Sequence, residues 1–192
     1  VAVNYLKSKD SAEHVADEIR SAGGSAKAYM ADVGDPDATA DMVEAIVRSF
    51  GRLDVIVHGA TPSIGQIKVG DLSYRELEPY LKTYLGGALA LMSTATPGMA
   101  ERGFGRLIFL GTSYMFGIPP AGLAGYVAAK HALLGLVKGL AAELGPSGIT
   151  SNMVSPGVTV TDLTGDMPAR MKELEARKSP MRRLATVGDT AE

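Results

Sequence analysis

The sequence contains neither cysteine nor tryptophan in its 192 residues. The absence of cysteine excludes disulfide bonds and metal sites built on thiolates. The three histidines, His14, His58 and His131, are scattered along the chain, so their spacing predicts no zinc site. We therefore expect a protein without a bound metal.

The chain also lacks a large excess of either charge and any long apolar run. The chain has 19 Lys and Arg against 21 Asp and Glu, a formal net charge of -2, and the two signs are mixed. Such a chain has no basic stripe of the kind that binds nucleic acid or an anionic membrane. Apolar runs such as 107–110 are too short to cross a bilayer, and no basic-then-apolar leader precedes them. We expect a cytoplasmic protein that acts on small molecules, with neither nucleic acid nor a membrane as partner.

The hydrophobic pattern predicts one α/β domain, because 46% of the residues are hydrophobic and the period alternates between strand and helix. Strands are predicted at 1–5, 25–33, 53–60, 105–113 and 148–157, and helices at 11–24, 35–51, 73–102, 126–144 and 169–178. The helix at 73–102 is expected to be interrupted near Pro97. This alternation predicts a doubly wound parallel sheet with helices on both faces, in which ligands bind at the carboxyl ends of the strands.

Tyr126 and Lys130 lie four residues apart near the start of a predicted helix. Residues at this spacing share one face of a helix, so the phenol and the ammonium can reach one point. A nearby ammonium favours the phenolate and is expected to lower the pKa of the phenol from its usual value near 10. The pair is a candidate proton donor with its partner, although two ordinary surface residues of a helix have the same spacing.

The pair also belongs to a larger pattern. Ser113 ends a predicted strand thirteen residues before Tyr126-Val-Ala-Ala-Lys130. This arrangement resembles the serine and YxxxK motif of the short-chain dehydrogenase/reductase family, and over its whole length the chain is most similar to the β-ketoacyl-[acyl-carrier-protein] reductase branch. The resemblance implies that Tyr126 exchanges a proton with the carbonyl oxygen. It also implies that Lys130 tunes Tyr126 and holds the nicotinamide ribose, while Ser113 positions the carbonyl.

The resemblance further implies a nicotinamide dinucleotide as the cofactor. Asp32 matches the residue that hydrogen-bonds the adenine amino group, with Val33 beside the ring. The Pro156-Gly157-Val158 stretch matches the support of the nicotinamide carboxamide, and Thr161 the hydroxyl that meets it or the pyrophosphate. The implied cofactor-binding residues are Asp32, Val33, Gly59, Ala60, Tyr126, Lys130, Pro156, Gly157, Val158 and Thr161.

NADP is expected rather than NAD. Asn4-Tyr5 stands where an acidic residue would bind the adenosine 2'-hydroxyl of NAD, and no acid is present there. Lys7 is close enough in sequence to meet a 2'-phosphate.

The chain departs from the family pattern in three places. The Gly-rich phosphate loop and the strand before it are missing, so residues 1–192 are expected to form a single NAD(P)-binding Rossmann domain, three-layered (αβα) and incomplete at both ends. The family's NNAG turn reads His58-Gly59-Ala60-Thr61, and His58 is expected to be structural rather than a ligand. Tyr84 stands where the family has a catalytic asparagine that holds a water molecule beside the lysine, so the proton relay is expected to be altered or slower.

These features predict an NADP-dependent oxidoreductase that reduces a ketone, in a 3-oxoacyl thioester or a similar carbonyl compound, to a secondary alcohol. Residues 159–181 are expected to form a lid over the substrate. The resemblance also implies a homotetramer or homodimer, formed by the long helices and their small residues, Gly86, Gly87, Ala128, Gly135 and Gly139. Two alternatives remain: enoyl reduction or reduction of another carbonyl compound, and a catalytically weakened homologue that serves as a binding or assembly subunit.

Overall fold

The computed structural model describes residues 1–191, which form five β-strands and seven α-helices. The strands are β1 (Ala2–Tyr5), β2 (Lys27–Met30), β3 (Val55–His58), β4 (Gly105–Leu110) and β5 (Ile149–Val154). The helices are α1 (Lys9–Ser21), α2 (Pro36–Phe50), α3 (Tyr74–Leu81), α4 (Gly87–Glu101), α5 (Ala124–Leu144), α6 (Ala169–Lys178) and α7 (Gly188–Ala191). Within residues 1–191, no helix is both long enough and apolar enough to span a membrane.

All strand pairs are parallel, and they form two ladders, β1–β2 and β3–β4–β5. Ile56 of β3 stands opposite Leu107 of β4, and Leu107 stands opposite Ser151 of β5. Helices flank both ladders, which confirms the predicted α/β fold of the Rossmann type. The single sheet that the sequence predicts is divided, because β1 and β3 do not pair with each other.

Helix α2 begins and ends where its sequence predicts. The Asp35 carboxylate accepts hydrogen bonds from the backbone N–H groups of Asp37 at 3.0 Å and Ala38 at 3.1 Å, and Pro36 occupies the first helical position. Gly51 ends the helix with a φ of 80°, a left-handed conformation that favours glycine. The buried face of α2 packs on α4, and this contact joins the two halves of the fold.

The helix predicted at 73–102 is real, but its interruption is not near Pro97. Ser73 and Glu76 form a capping box at its start, and a π-helical turn (Lys82–Gly86) separates α3 from α4. A π turn accommodates an extra residue in the helix and re-aims side chains. Here it places Tyr84 in the core, fully buried. Pro97 lies inside α4 without ending it, because it is exposed and removes only one backbone hydrogen bond.

The core lies between β4 and the long helices. Alternate residues of β4, Leu107 and Phe109, are fully buried and belong to one cluster with Met99 of α4, Leu133 of α5 and Ile149 of β5. Four of the predicted strands extend past the observed strand ends. Their last residues leave the ladder as loops, and these loops carry the polar residues that the sequence predicts for the site.

Candidate active site

The predicted site residues lie at the carboxyl ends of neighbouring parallel strands. Ser113 follows β4 and opens a short 3-10 turn (Ser113–Phe116), and Pro156 follows β5. The backbone N–H of Ser113 donates to the carbonyl oxygen of Pro156 at 2.9 Å. This hydrogen bond brings the predicted carbonyl-positioning serine beside the predicted nicotinamide segment.

Lys130 is buried on α5, only 5% exposed, with its ammonium at the end of β4. Its Nζ donates to the carbonyl oxygen of Leu110 at 2.6 Å. The same atom lies 3.8 Å from the centroid of the Tyr84 ring and 6.0 Å from that of the Tyr126 ring. Burial lowers the pKa of Lys130 to about 8. The lysine is therefore charged at neutral pH, but close to losing its proton.

Tyr126 is partly buried one helical turn before Lys130. Burial raises the pKa of its phenol, and an interaction with the Thr112 side chain opposes that rise. The expectation that Lys130 lowers the pKa of Tyr126 is therefore wrong in direction. The main reason is burial, and the ammonium does little to oppose it because it donates to the Leu110 carbonyl and faces the Tyr84 ring.

Three tyrosine rings form one cluster, and two of them, Tyr84 and Tyr126, lie near the Lys130 ammonium. Tyr80 stacks on Tyr84 with 6.1 Å between ring centroids, and Tyr126 meets both rings edge-on, at 6.1 Å from Tyr80 and 6.3 Å from Tyr84. The Tyr84 hydroxyl shares a 2.6 Å hydrogen bond with the Thr61 hydroxyl. Burial raises the pKa of Tyr84, so this phenol stays protonated at neutral pH.

His58 ends β3 and is 4% exposed. Burial, followed by the charge of Lys130, lowers the pKa of His58 to about 4, so the imidazole is neutral at pH 7. Its ring meets Phe109 edge-on at 6.0 Å, and its Nε2 has no hydrogen-bond partner within residues 1–191. This environment favours the structural role expected of His58 over that of a ligand.

Asp32 follows β2, in the other ladder. Its carboxylate accepts the backbone N–H of Gly34 at 2.9 Å and pairs with the Lys82 ammonium at 3.3 Å. The hydrogen bond from Gly34 and the contact with Lys82 hold the pKa of Asp32 below its usual value. Because Lys82 and Tyr84 belong to the same π turn, this turn contacts both the end of β2 and Lys130.

The segment after β5 forms one wall of a cleft beside Ser113. The cleft has a volume of about 550 Å³, and its walls include Ser113, Phe116, Gly157, Val158, Glu175 and Lys178. Glu175 and Lys178 belong to α6, which lies in the predicted lid. The segment is held by Ala185, whose N–H donates to the Val158 carbonyl at 3.2 Å. The structure thus places the predicted lid next to the predicted serine.

The other predicted cofactor residues differ in how far they are exposed to solvent. Val33 is buried, Gly59 is exposed and Ala60 is partly buried. Thr161 is exposed and begins a 3-10 turn (Asp162–Thr164), in which its backbone N–H is capped by the Thr164 hydroxyl at 3.1 Å.

The residues of this strand edge suit a nicotinamide dinucleotide. Asp32 offers a carboxylate acceptor at the end of β2, and Lys130 offers an ammonium at the end of β4. Gly59 adds an exposed glycine after β3, and Ser113 adds a hydroxyl after β4. No cluster of three or more His, Cys, Asp or Glu that would hold a metal ion occurs within the described chain.

Sequence reasoning missed three groups at this site. Thr112 is buried and interacts with Tyr126, Thr61 binds Tyr84, and the Leu110 carbonyl accepts from Lys130. Thr112 and Thr61 had signals in the sequence, since Thr112 directly precedes Ser113 and Thr61 ends the turn that departs from the family pattern. A backbone carbonyl carries no such signal, because every residue has one.

Comparisons with known proteins show the family of this chain. A family model described as Enoyl-(Acyl carrier protein) reductase matches residues 1–192. A 3-oxoacyl-[acyl-carrier-protein] reductase of Staphylococcus aureus is 35% identical over 191 residues, which cover 100% of this chain and 77% of the relative. Versicolorin reductase 1 of Aspergillus parasiticus is 34% identical over 164 residues, which cover 85% of this chain and 61% of the relative.

The chain is also similar to a solved structure of a short chain dehydrogenase. A short chain dehydrogenase from Burkholderia cenocepacia in complex with NADP superimposes with a TM-score of 0.89 at 31% identity, covering 100% of this chain and 76% of that one.

Proposed function

Because the chain belongs to the short-chain dehydrogenase/reductase family, and is thus an NAD(P)-dependent oxidoreductase, we propose that it reduces a ketone to a secondary alcohol with NADPH. The ketone is that of a 3-oxoacyl thioester or a similar carbonyl compound. The observation that carries this proposal is a set of contacts just after β4: Lys130 binds the Leu110 carbonyl, Tyr126 interacts with Thr112, and the next residue, Ser113, lines a cleft. The name of the Staphylococcus relative supports the choice of a 3-oxoacyl thioester.

The side chains of this edge suit proton donation. The Tyr126 phenol is protonated at neutral pH, because burial raises its pKa above the usual value near 10, so it has a proton to donate. In the proposed reaction Tyr126 donates its proton to the carbonyl oxygen, and the hydroxyl of Ser113 holds that oxygen by a hydrogen bond. Lys130 contributes a positive charge beside the developing phenolate and offers its ammonium to the ribose hydroxyls. NADPH, when bound, supplies the hydride that adds to the carbonyl carbon.

The preference for NADP over NAD is supported by the end of β1. The Asn4 side-chain amide donates to the carbonyl oxygens of Tyr29 at 3.3 Å and Ala31 at 3.1 Å, so it is already engaged within the ladder. No acidic residue lies between Asn4 and Lys9 to accept a ribose 2'-hydroxyl. Lys7 is exposed in this loop, where it is placed to meet a 2'-phosphate.

The cleft supports a substrate with an apolar chain. Phe116, Ile118 and Leu184 lie in its walls, and the first two are largely exposed. Both cationic wall residues are paired, Lys178 with Glu175 at 2.7 Å and Arg183 with Asp189 at 2.6 Å, which leaves little unbalanced charge for a small anion. Residues 159–181 serve as the substrate lid in this proposal.

Enoyl reduction is the second candidate, and the description of the matching family model favours testing it. It would use the same strand edge with a carbon–carbon double bond in place of the ketone. An enoyl thioester is therefore assayed beside the oxoacyl thioester.

The assay follows the loss of NADPH absorbance with a short 3-oxoacyl thioester, with NADH in parallel. Tyr126→Phe keeps the ring but removes the proton donor, so turnover is expected to fall by about 100-fold or more. Tyr74→Phe removes a phenol from an exposed residue of α3 and is the matched control, with wild-type turnover expected. Wild-type protein that binds NADPH without turning over the ketone would contradict the proposed substrate. Failure to bind NADPH at all would favour the binding or assembly subunit.

We also propose that the protein works as a homotetramer or homodimer in the cytoplasm, where nicotinamide cofactors are available. The support for association is the exposed row of small residues on α5, namely Ala128, Gly135 and Gly139. Such residues allow the backbones of two helices to approach closely.

A further inference from the structure

Tyr84 and Thr61 occupy two of the positions at which this chain departs from the family pattern, and they bind each other. Their hydroxyl oxygens are 2.6 Å apart. Tyr84 lies on the π turn between α3 and α4, whereas Thr61 lies in the loop after β3, directly following Gly59 and Ala60. The hydrogen bond therefore connects the π turn to a loop that is predicted to hold the cofactor.

The face of the Tyr84 ring is the second contact of the Lys130 ammonium. Nζ lies 3.8 Å from the ring centroid, well within the range at which an aromatic face attracts a cation. The only hydrogen bond of this ammonium within the described chain is the one to the Leu110 carbonyl. The ammonium is thus held between a backbone carbonyl and a ring face.

This attraction is strong where the ring and the ammonium are both removed from water. Tyr84 is 0% exposed and Lys130 is 5% exposed. Burial disfavours the charged lysine, and a ring face is one of the few groups that stabilises a cation without bringing in an opposite charge. A carboxylate does not fill this role, because none pairs with Lys130 among residues 1–191.

The hydroxyl of Tyr84 explains why the ring keeps this orientation. A buried phenol without a partner is costly, and Thr61 provides that partner. Stacking on Tyr80 and the edge-on contact with Tyr126 restrict the ring from two other sides.

We propose that Tyr84 is a positioning residue for Lys130, with its ring face holding the ammonium at the end of β4 and Thr61 fixing the ring. The ring contacts the lysine directly, at the position where the family has an asparagine that holds a water molecule beside the lysine. The role of Lys130 in the reaction rests on the proposed function, but its position and its titration do not.

The titratable groups that face Lys130 determine whether a charge change near pH 8 belongs to Lys130 itself. Tyr84 faces it from the π turn, Tyr126 from its own helix and His58 from β3. His58 is neutral above about pH 4, and burial keeps both phenols protonated through neutral pH. Lys130 is therefore the group of this cluster that changes charge near pH 8.

The first test is the NMR titration of Lys130 in protein with isotopically labelled lysine, with its signal assigned by Lys130→Met. Tyr84→Met fills most of the space but removes the ring face, and the pKa of Lys130 is expected to fall by about one pH unit. Tyr84→Phe keeps the ring and is expected to leave the titration within about 0.3 unit of the wild type. Tyr80→Met removes a buried ring that does not face Nζ. Because Tyr80 only helps to hold Tyr84, its removal is expected to lower the pKa of Lys130 much less than Tyr84→Met does.

Two results would overturn the proposal. One is a Lys130 pKa that stays the same or rises in Tyr84→Met, and the other is an equal fall in Tyr80→Met. If Tyr84→Met does not fold, the Thr61→Val variant tests the positioning role of Tyr84 instead. It is expected to lower the pKa of Lys130, and adding Tyr84→Phe should restore it because no phenol is then left without a partner. A wild-type titration in Thr61→Val would then contradict the proposal.

Activity provides the second readout. The alkaline limb of the kcat/KM profile for ketone reduction should move down in Tyr84→Met by the same shift as the titration. If wild-type protein shows no turnover, the proposed function fails while the titration still tests the position of Lys130. If turnover is present and the titration does not move, only the positioning role fails.

Discussion

Burial is the largest cause of the pKa shifts of Lys130, Tyr126, Tyr84 and His58. Lys130 is an example, since burial is the cause that lowers its pKa to about 8. Burial raises the pKa of Tyr126 instead, because burial disfavours the charged form and for a phenol the charged form is the deprotonated one. A neutral phenol beside a cation is the protonation state that carbonyl reduction requires.

His58 is expected to make the stability of the protein depend on pH. Its pKa is about 4 in the folded chain and 6.5 as the ordinary value, so the unfolded chain takes up a proton first as the pH falls. The stability contributed by neutral His58 is complete above about pH 6.5 and is lost as the pH falls through about 4. The loss amounts to about 3 kcal/mol at most.

Urea unfolding at pH 7 and pH 4.5 measures this effect. The free energy of unfolding should fall less between the two pH values in His58→Gln than in the wild type. His14→Gln, at an exposed position of α1, should behave as the wild type does. An equal fall in His58→Gln would assign the acid sensitivity to the carboxylates instead.

At the scale of elements, the π turn organises the site. It contacts Asp32 through Lys82 and Lys130 through Tyr84. Close packing supports this placement, since a Cβ added to Gly87, directly after the turn, would lie 3.0 Å from the Val33 carbonyl oxygen. The turn thus joins the two ladders at the strand edge where the cofactor is proposed to bind.

Helix α2 should depend on its N-cap. Asp35→Ala removes the acceptor of two backbone N–H groups and is expected to lower the free energy of unfolding by about 1 kcal/mol. Asp37→Ala is the matched control, because Asp37 lies in the same first turn but does not cap the helix. Urea unfolding of the three proteins at pH 7 provides the comparison. Equal losses in both variants would mean that charge in the first turn, rather than the cap, stabilises α2.

Local signals predicted some elements well and others poorly. The helix predicted at 35–51 is confirmed as α2, because the cap at Asp35 and the turn at Gly51 act within a few residues. Pro97 was a misleading signal for the break in the helix at 73–102. The π turn carries no comparable signal, since it depends on packing Tyr84 against residues far away in sequence.

At the scale of the whole molecule, the exposed face of α5 is where association is expected. Gly135 and Gly139 lie on this face, and an added Cβ at either would meet nothing within 4 Å. A larger side chain there fits the single chain and also has a higher helix propensity than glycine. Such a change would therefore act on an interface and not on the fold.

Sedimentation velocity tests this expectation. The wild type should sediment as a dimer or tetramer, and Gly139→Arg should shift it toward the monomer because the side chain blocks close helix approach. Gly70→Arg, at an exposed position with open space around it, should keep the wild-type state. A monomeric wild type would contradict the proposed assembly. A Gly139→Arg variant that remains associated would place the interface elsewhere.

The sequence by itself determined the parallel α/β fold, and its family resemblance predicted that Ser113, Tyr126 and Lys130 form one site. Periodicity and caps are local, and parallel strands bring their carboxyl ends to one edge whatever the packing details are. Only the tertiary structure decided the direction in which the Lys130 ammonium points, the sign of the pKa shift of Tyr126, and the pairing of Tyr84 with Thr61. These depend on burial and on contacts between residues remote in sequence, which periodicity and spacing do not encode.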